Sequence, residues 1–281
     1  KTYIDMVLNS GQYELESDFK YVWSENKKYG KEMIFALLHE TGNNAAEIAC
    51  HFGPSDHPEV PGRWQYYGVS LPFWRSYDKE DPRREFFYYD YTGDAKRDDQ
   101  SDYGFHYMVP EEGVTVVPND TTKYMQNVAT MKYTYDMISD AYYDGRTICI
   151  FRLSDVILCK AEIENNLNGP AAALPYLNQI RARAGAPEYG KHNRFPAPST
   201  KEAMNDAILK ERGYELVFEF QRRADLIRFG KYEEVVNAHL KKLGIAQPTN
   251  VTSSLRYFPY PLNDAQLNPN LAAENPSRLP K

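Results

Sequence analysis

Three acidic residues spaced four apart are the first candidates for acid–base chemistry in this sequence. Glu211, Glu215 and Glu219 would lie along one stripe of a helix, with Arg212 and Arg222 near enough to pair with them. Paired carboxylates can act as general acid and base, but no His or Cys lies in the same stretch to act as a nucleophile or proton shuttle. We therefore predict a half-buried, mutually neutralised, structural helix. The residues expected to be largely buried and paired are Glu211, Arg212, Glu219, Arg222 and Asp225.

An aromatic loop is the second candidate, for ligand binding. Residues 41–74 are rich in Gly, Asn, Pro and His with little periodicity, yet they carry aromatic residues that a disordered segment would lack. Tyr and Trp offer a broad apolar face and a polar tip, which suits grooves for sugars or peptides, although both also serve ordinary packing. Phe73 and Trp74 fit the core at least as well as the surface. The predicted ligand-binding residues are Trp64 as the main platform, Tyr66 or Tyr67 beside it, and Arg63, Asn43 and Asn44 for hydrogen bonds.

Metal and catalytic sites have weaker support. His39, His51 and His57 fit no standard zinc spacing, so we expect solvated histidines, no metal and no cofactor. The Asp-rich loop 94–102 lacks EF-hand spacing and is expected to be solvated rather than to bind calcium. No nucleophile-elbow, H-E-x-x-H or phosphate-loop motif occurs, so no enzyme is predicted. The densest acidic group near the aromatic loop is expected to serve turn and strand structure, and comprises Asp78, Asp81, Glu85 and Asp90.

Composition and charge exclude several classes of protein. With 33 Lys and Arg against 39 Asp and Glu, the net charge is −6, and the chain lacks the basic face that a nucleic-acid partner requires. No stretch approaches about 18 consecutive apolar residues, so no membrane span is predicted, and no signal peptide is visible. The 3 cysteines show no metal spacing; Cys149 and Cys159 lie in apolar sequence and are predicted to be buried.

Helical periodicity dominates the second half of the chain. Two helices are predicted between 151 and 187 with a break at 168–170, where Pro suits a helix start. They resemble a tetratricopeptide hairpin, and a single repeat must pack against other helices. One helix over 201–228 and a short one over 231–242 follow. The Pro- and Asn-rich tail from 257 is predicted to be neither helix nor central strand, but an ordered strap with packed aromatic residues.

The first half is predicted to contain helical turns, loops and short strands. Residues 1–29 suggest helical turns. The apolar run 32–39 is compatible with a strand or a buried helix, because periodicity does not separate the two. Residues 86–91 have the pattern of a strand, and the β-branched run 114–117 follows a polar loop.

Four stretches, taken together, resemble a known family. They are ERGYELVFEFQRRADLIR at 211–228, RLSDVILCKAE at 152–162, LNQIRARAG at 177–185, and YFPYP at 257–261 followed by two Asn-Pro pairs. In this order they are similar to the signature segments of the SusD/RagB family. Members of that family are surface lipoproteins that capture nutrients on the outer membrane of Gram-negative bacteria.

The resemblance implies a fold and an organisation. The expected fold is mainly α: a SusD-like carboxy-terminal domain with tetratricopeptide-type helices, long loops and a few short strands. Full-length members are longer, so the chain is expected to be the carboxy-terminal portion of one. Residues 1–40 would end the helical-repeat region, 41–135 would form a loop-rich ligand-binding region, and 136–281 would hold the helical hairpin, the signature helix and the carboxy-terminal strap.

The resemblance also implies a function and partners. The expected role is non-catalytic binding of a nutrient oligosaccharide or polysaccharide at the cell surface, for delivery to a TonB-dependent outer-membrane transporter (SusC-like). Attachment to the outer membrane would be through an amino-terminal lipid anchor absent from this sequence. Two alternatives remain open: a peptide-binding member of the same family, and a glycoside hydrolase, which needs two carboxylates roughly 5–9.5 Å apart across a groove.

Overall fold

The computed structural model describes residues 1–27, 29–40, 47–54, 57–60, 63–93, 104–113, 122–136, 145–244 and 250–274. The chain divides into two units, Lys1–Glu219 and Phe220–Lys281. The described residues are mainly helical, with a few short strands and long connections, which confirms the predicted fold class. Within these ranges no helix is long and apolar enough to cross a membrane.

The described helices and strands are short except for three helices near the middle of the chain. The α-helices are α1 (Thr2–Leu8), α2 (Ile48–Phe52), α3 (Leu71–Arg75), α4 (Leu153–Asn168), α5 (Pro170–Ala184), α6 (Lys201–Glu215), α7 (Arg222–Arg228), α8 (Tyr232–Lys242), α9 (Leu262–Leu267) and α10 (Pro269–Glu274). The strands are β1 (Met33–Leu37), β2 (Val69–Ser70), β3 (Phe87–Tyr88), β4 (Asp90–Thr92), β5 (His106–Met108), β6 (Thr122–Tyr124), β7 (Asn127–Thr130) and β8 (Ile148–Arg152).

The helices α4, α5 and α6 pack together as the scaffold of the first unit. Gly169, with φ of 90°, separates α4 from α5, and Gly185, with φ of 73°, ends α5. Both glycines adopt a backbone conformation that other residues rarely take. The predicted hairpin and its break are therefore confirmed. The residues that fill the space between the three helices without solvent exposure are Leu158, Ala161, Ala173, Leu177, Ile180, Met204 and Ile208.

The predicted single helix over 201–228 is wrong. Thr200 caps α6 by accepting a hydrogen bond from the Ala203 amide, but α6 ends at Glu215. Phe218 and Phe220 have φ of 61° and 63°, a left-handed conformation that a right-handed helix cannot contain. The Phe218 carbonyl instead accepts a hydrogen bond from the Tyr133 hydroxyl at 2.7 Å. The helical spacing of apolar residues therefore continues past Glu215 in the sequence, although the backbone there forms a turn and not a helix.

Three small sheets hold the loop-rich part of the first unit. Strand β1 pairs antiparallel with β8, which decides the 32–39 run in favour of a strand. The order in the second sheet is β2-β7-β3, and in the third it is β4-β5-β6, where β5 and β6 are parallel. The predicted strand over 86–91 is divided into β3 and β4. The run 114–117 lies outside the described residues.

Aromatic side chains fill much of the core of the first unit. One cluster contains Phe19, Trp23, Phe52, Phe86 and Tyr133. A second contains Trp74, with Phe73 packed against it, so both residues belong to the core. Cys149 is buried as predicted, but Cys159 is partly exposed, and its sulfur lies 3.7 Å from both Asp155 and Arg212.

A buried network of ion pairs links α6 and the turn after it to distant segments of the first unit. Arg152 contacts Glu32 at 2.6 Å and both Glu215 and Glu219 at 2.7 Å. The carboxylates of the network are Glu32, Asp81, Glu211, Glu215 and Glu219, and its cations are Arg83, Lys132, Arg152, Arg181 and Arg183. The side chain of every member is at most 5% exposed.

The acidic stripe is therefore buried and paired, as predicted, but its partners differ. Arg212 is buried and pairs with Asp155 at 2.7 Å, a carboxylate outside the stripe. Arg222 is only half-buried, which contradicts its predicted burial, because α6 has ended before this position. In the second unit Asp225 is buried and pairs with Arg228 at 3.0 Å.

The tail of the second unit contains helices that were not predicted. Pro261 is the N-cap of α9 and Pro269 is the first residue of α10, positions where a missing amide hydrogen has no cost. Two of the tail's aromatic side chains are exposed, 55% for Tyr257 and 72% for Phe258, which contradicts their predicted packing, whereas Tyr260 is half-buried. Contacts of this segment include the ion pair between Arg256 and Glu233 at 2.6 Å and the Arg223 guanidinium 4.3 Å from the centre of the Phe258 ring.

Candidate functional site

Four rings gather where the loop after α2 runs back along that helix. The ring centroid of His51 lies 5.2 Å from Trp64, 5.4 Å from Tyr66 and 6.1 Å from Tyr67. Trp64 and Tyr66 are 5.5 Å apart and tilted by 34°. Tyr66 is 66% exposed and Tyr67 56% exposed, whereas Trp64 is half-buried. We call this group, His51, Trp64, Tyr66 and Tyr67, the aromatic platform.

The helix α2 fixes the platform through its backbone. The amide of Trp64 donates to the Cys50 carbonyl at 2.8 Å, and the amide of Tyr67 donates to the His51 carbonyl at 3.1 Å. Cys50 itself is fully buried, so the helix that these bonds use is anchored in the core. Phe52, also buried, contacts Tyr67 at 5.4 Å between ring centroids. The exposed rings therefore rest on a rigid support.

A strained residue lies in the middle of the platform. Gln65 has φ of 49°, a left-handed conformation that costs energy for a residue with a side chain. Its side-chain amide lies 3.3 Å from Oδ1 of Asn127, in β7. Gln65 lies between Trp64 and Tyr66 in the sequence, so this contact connects the loop to strand β7 at the centre of the platform. Such strain is found at sites where side-chain direction matters.

Three of the six predicted binding residues, Trp64, Tyr66 and Tyr67, lie together. Arg63 is not exposed at all, and its Nη1 lies 3.5 Å from the Cys50 sulfur, so it supports the loop from beneath instead of facing a ligand. Asn43 and Asn44 lie outside the described residues. The sequence did not predict His51 as a member of the site, because the histidines were expected to be solvated. Its place between the apolar residues Cys50 and Phe52 was the signal that the sequence offered.

His51 and His57 are partly exposed and pack against aromatic rings, and Nδ1 of the half-buried His39 lies 3.1 Å from the Arg146 carbonyl oxygen, so the predicted solvation of these histidines is only partial. His57 lies 4.7 Å from Tyr88 and 4.9 Å from Tyr91 between ring centroids. On the platform, Nε2 of His51 is 3.9 Å from a carboxylate oxygen of Glu47, a side chain that is 38% exposed. Among the described residues, no group of three or more His, Cys, Asp or Glu is placed to hold a metal.

The acidic group near the loop has structural contacts. Asp81 binds Arg83 at 2.8 Å and caps the 3₁₀ turn Pro82–Glu85. Asp78 pairs with Arg194 at 2.7 Å, and Asp90 of β4 pairs with His106 of β5 at 2.7 Å. Glu85 accepts a hydrogen bond from the Tyr89 hydroxyl. These contacts confirm the predicted turn and strand roles.

Comparison with known proteins gives consistent similarities. The model of the SusD family (SusD/RagB) matches residues 32–277. The SusD-like protein P25 of Formosa agariphila is 39% identical over 120 residues, and the starch-binding protein SusD of Bacteroides thetaiotaomicron is 28% identical over 137 residues. These matches cover 43% and 48% of this chain and 22% of each relative.

A solved structure extends the similarity to the fold of nearly the whole chain. The surface glycan-binding protein A of Bacteroides thetaiotaomicron, in complex with laminarihexaose, is similar over 95% of this chain with a TM-score of 0.68 and 22% identity. The match covers 56% of that protein. The match therefore covers about half of this structure and about a fifth of each of the two relatives above.

Proposed function

The chain belongs to the SusD family, and from this premise we propose that it binds a nutrient oligosaccharide or polysaccharide at the cell surface without catalysis. The observation that carries the proposal is the aromatic platform. Its two most exposed rings project from a loop that is held by core residues. The glycan-binding neighbour with its bound laminarihexaose supports the same class of ligand.

The chemistry of a sugar fits this platform. A pyranose ring has a face of C–H bonds that packs on an aromatic ring, and a rim of hydroxyls that needs hydrogen-bond partners. The platform offers both, since the Tyr66 and Tyr67 rings are apolar on their faces and carry a hydroxyl that donates and accepts. Trp64, half-buried between His51 and Tyr66, would provide the largest stacking surface.

We further propose where the glycan binds in the chain, where the protein lies in the cell and which transporter it serves. We place the ligand-binding region within 41–135 and the helical scaffold within 136–281. The full-length protein would be lipid-anchored at the outer membrane and would deliver its glycan to a TonB-dependent transporter. Co-purification of the full-length protein with such a transporter from outer membranes tests this part.

Replacing Trp64 with alanine should weaken binding of a cognate glycan more than tenfold. An aromatic anchor at the centre of a binding site contributes about 2 kcal/mol or more, which exceeds the 1.4 kcal/mol that corresponds to a factor of ten. A glycan array followed by calorimetry on the best ligand gives the measurement, with a peptide array alongside. An unchanged affinity would move the site away from this loop, and binding of peptides alone would favour a peptide-binding member of the family.

A pair of matched variants controls for surface exposure. Tyr66 and Tyr29 are both 66% exposed, but only Tyr66 belongs to the platform. Tyr66→Ala should reduce glycan affinity several-fold, whereas Tyr29→Ala should leave it unchanged. Circular dichroism spectra and melting temperatures that match the wild type would show that neither change disturbs the fold.

The protein should release no sugar from any glycan that it binds. The acidic group that follows the platform in sequence already has structural partners, including Asp78 with Arg194 and Asp90 with His106. Reducing-end assays over a day at high protein concentration would check this expectation. Hydrolysis that disappears in Asp90→Asn or Glu85→Gln would establish a glycoside hydrolase instead.

A further inference from the structure

We infer that the platform selects neutral glycans and discriminates against glycans that carry carboxylate, sulfate or phosphate groups. The inference rests on the proposed function and specifies the substrate class of the same site. It is carried by the charges around the rings.

The loop that forms the platform contains acidic residues but no accessible cation. Between 41 and 74 the only Lys or Arg is Arg63, against three carboxylates, Glu47, Asp56 and Glu59. The side chain of Arg63 is 0% exposed and lies against the Cys50 sulfur. Proteins that recognise anionic groups use exposed Arg or Lys, often in a bidentate geometry. This loop presents no such group to a ligand.

A carboxylate instead lies at the edge of the platform. Glu47 Oε2 is 3.9 Å from Nε2 of His51, and the Glu47 side chain is 38% exposed. His51 contacts all three other rings of the platform, at 5.2 to 6.1 Å between centroids. A glycan that covers these rings therefore brings its substituents close to the Glu47 carboxylate. An anionic substituent would be repelled there, whereas a hydroxyl would find a hydrogen-bond acceptor.

The charge of the surrounding unit acts in the same direction. The unit Lys1–Glu219 contains 24 Lys and Arg against 34 Asp and Glu. A surplus of negative charge lowers the local concentration of anionic ligands and slows their association, an effect that salt screens. A variant of Glu47 should therefore reveal the contribution of the local carboxylate to discrimination. A change in ionic strength should reveal the contribution of the unit's net charge.

The experiment uses matched pairs of glycans that share a backbone. An array would hold methyl-esterified and free polygalacturonate, desulfated and sulfated galactan, and neutral and glucuronate-substituted xylan, at pH 8, where an ordinary histidine is neutral. For any backbone that binds, we expect the anionic form to bind about tenfold more weakly at low salt. The difference should shrink as salt is raised.

Two variants that remove the same charge identify the source of the discrimination. Glu47→Gln should raise the affinity for the anionic form and change the affinity for the neutral form by less, because the amide oxygen still accepts a hydrogen bond but no longer repels an anion. Glu14→Gln also removes one carboxylate, whose side chain is 72% exposed and paired with Lys31 outside the loop sequence 41–74, and should leave the ratio of the two affinities as it is in the wild type.

The outcomes separate the two proposals. If no glycan of any kind binds, the proposed function is wrong. If a backbone binds and its anionic form binds equally well or better, the inference alone is overturned. A preference for neutral forms that is identical in the wild type and Glu47→Gln would overturn the role of Glu47.

Discussion

Replacing Arg152 with methionine should lower the melting temperature by roughly 6–20 °C. Arg152 is fully buried and contacts Glu32, Glu215 and Glu219 at 2.6 to 2.7 Å. Methionine keeps most of the volume but leaves three buried carboxylates short of their common partner. Removing one member of a buried ion pair typically costs about 3–5 kcal/mol, because the remaining charge is desolvated without compensation. For a chain of this size each kcal/mol lowers the melting temperature by about 2–4 °C.

An exposed arginine with good ion-pair geometry gives the control. Arg194, 48% exposed, contacts Asp78 at 2.7 Å and Glu80 at 2.6 Å. Arg194→Met should change stability by at most about 1 kcal/mol, since exposed pairs contribute little. Should Arg152→Met not fold, Arg183→Met, which removes ion pairs with two carboxylates, Glu32 and Glu215, provides a milder variant. If Arg152→Met and Arg194→Met melt within about 2 °C of each other, the network does not stabilise the fold.

Acidification should remove several kcal/mol of stability between about pH 5 and pH 2. Burial by itself would raise the pKa of Glu215, but Arg183, Arg152 and Arg83 together lower that pKa well below its usual value of 4.5. The pKa of Glu219 is likewise lowered, against its burial, by Arg152 and Lys132. As pH falls, the unfolded chain therefore takes up protons first. The stabilisation is fully present above the unfolded value and is lost as pH falls toward the folded one.

The size of this effect follows from linkage. Each carboxylate whose pKa is lower in the folded state than in the unfolded chain adds stability that is fully present at neutral pH. Urea unfolding at a series of pH values would measure the loss. In Arg152→Met the dependence should be shallower, because Glu219 loses its main cation and Glu215 loses one of its three arginines. A free energy of unfolding that stays constant from pH 5 to pH 3 in the wild type would contradict this account.

The fold was predictable where local sequence determines local structure. Helices α4 and α5 follow from apolar spacing and from Gly169-Pro170, which end one helix and start the next. The end of α6 was not predictable in this way. The apolar spacing continues past Glu215, but Phe218 leaves the helix to pack on Phe52 and to accept the Tyr133 hydrogen bond. These partners lie far away in sequence.

In the candidate site, too, some residues could be predicted from local sequence, whereas the role of others depends on partners that are distant in sequence. Aromatic residues in a polar loop indicated Trp64, Tyr66 and Tyr67, because three large rings in such a loop need either a ligand or a support. The direction of Arg63 depends on the fold around it: its neighbour Cys50 lies on α2, and only that helix's position determines that the arginine points inward. Partners of the acidic stripe were misassigned for the same reason, since Arg152 and Arg83 are brought to it by tertiary structure.

The ion-pair network also constrains the order in which the chain acquires its structure. Glu32 and Arg152 are separated by 120 residues, and Arg83 and Glu215 by 132. Contacts over such separations form slowly, because closing long loops costs conformational entropy before the contact can stabilise anything. During synthesis, the ion pairs of Arg83, Lys132 and Arg152 therefore cannot be completed until α6 and Glu219 have left the ribosome. A fragment that ends before α6 would keep the pairs of Arg83 with Asp81 and of Arg152 with Glu32, but it would leave Lys132 without Glu219 and both arginines without Glu215.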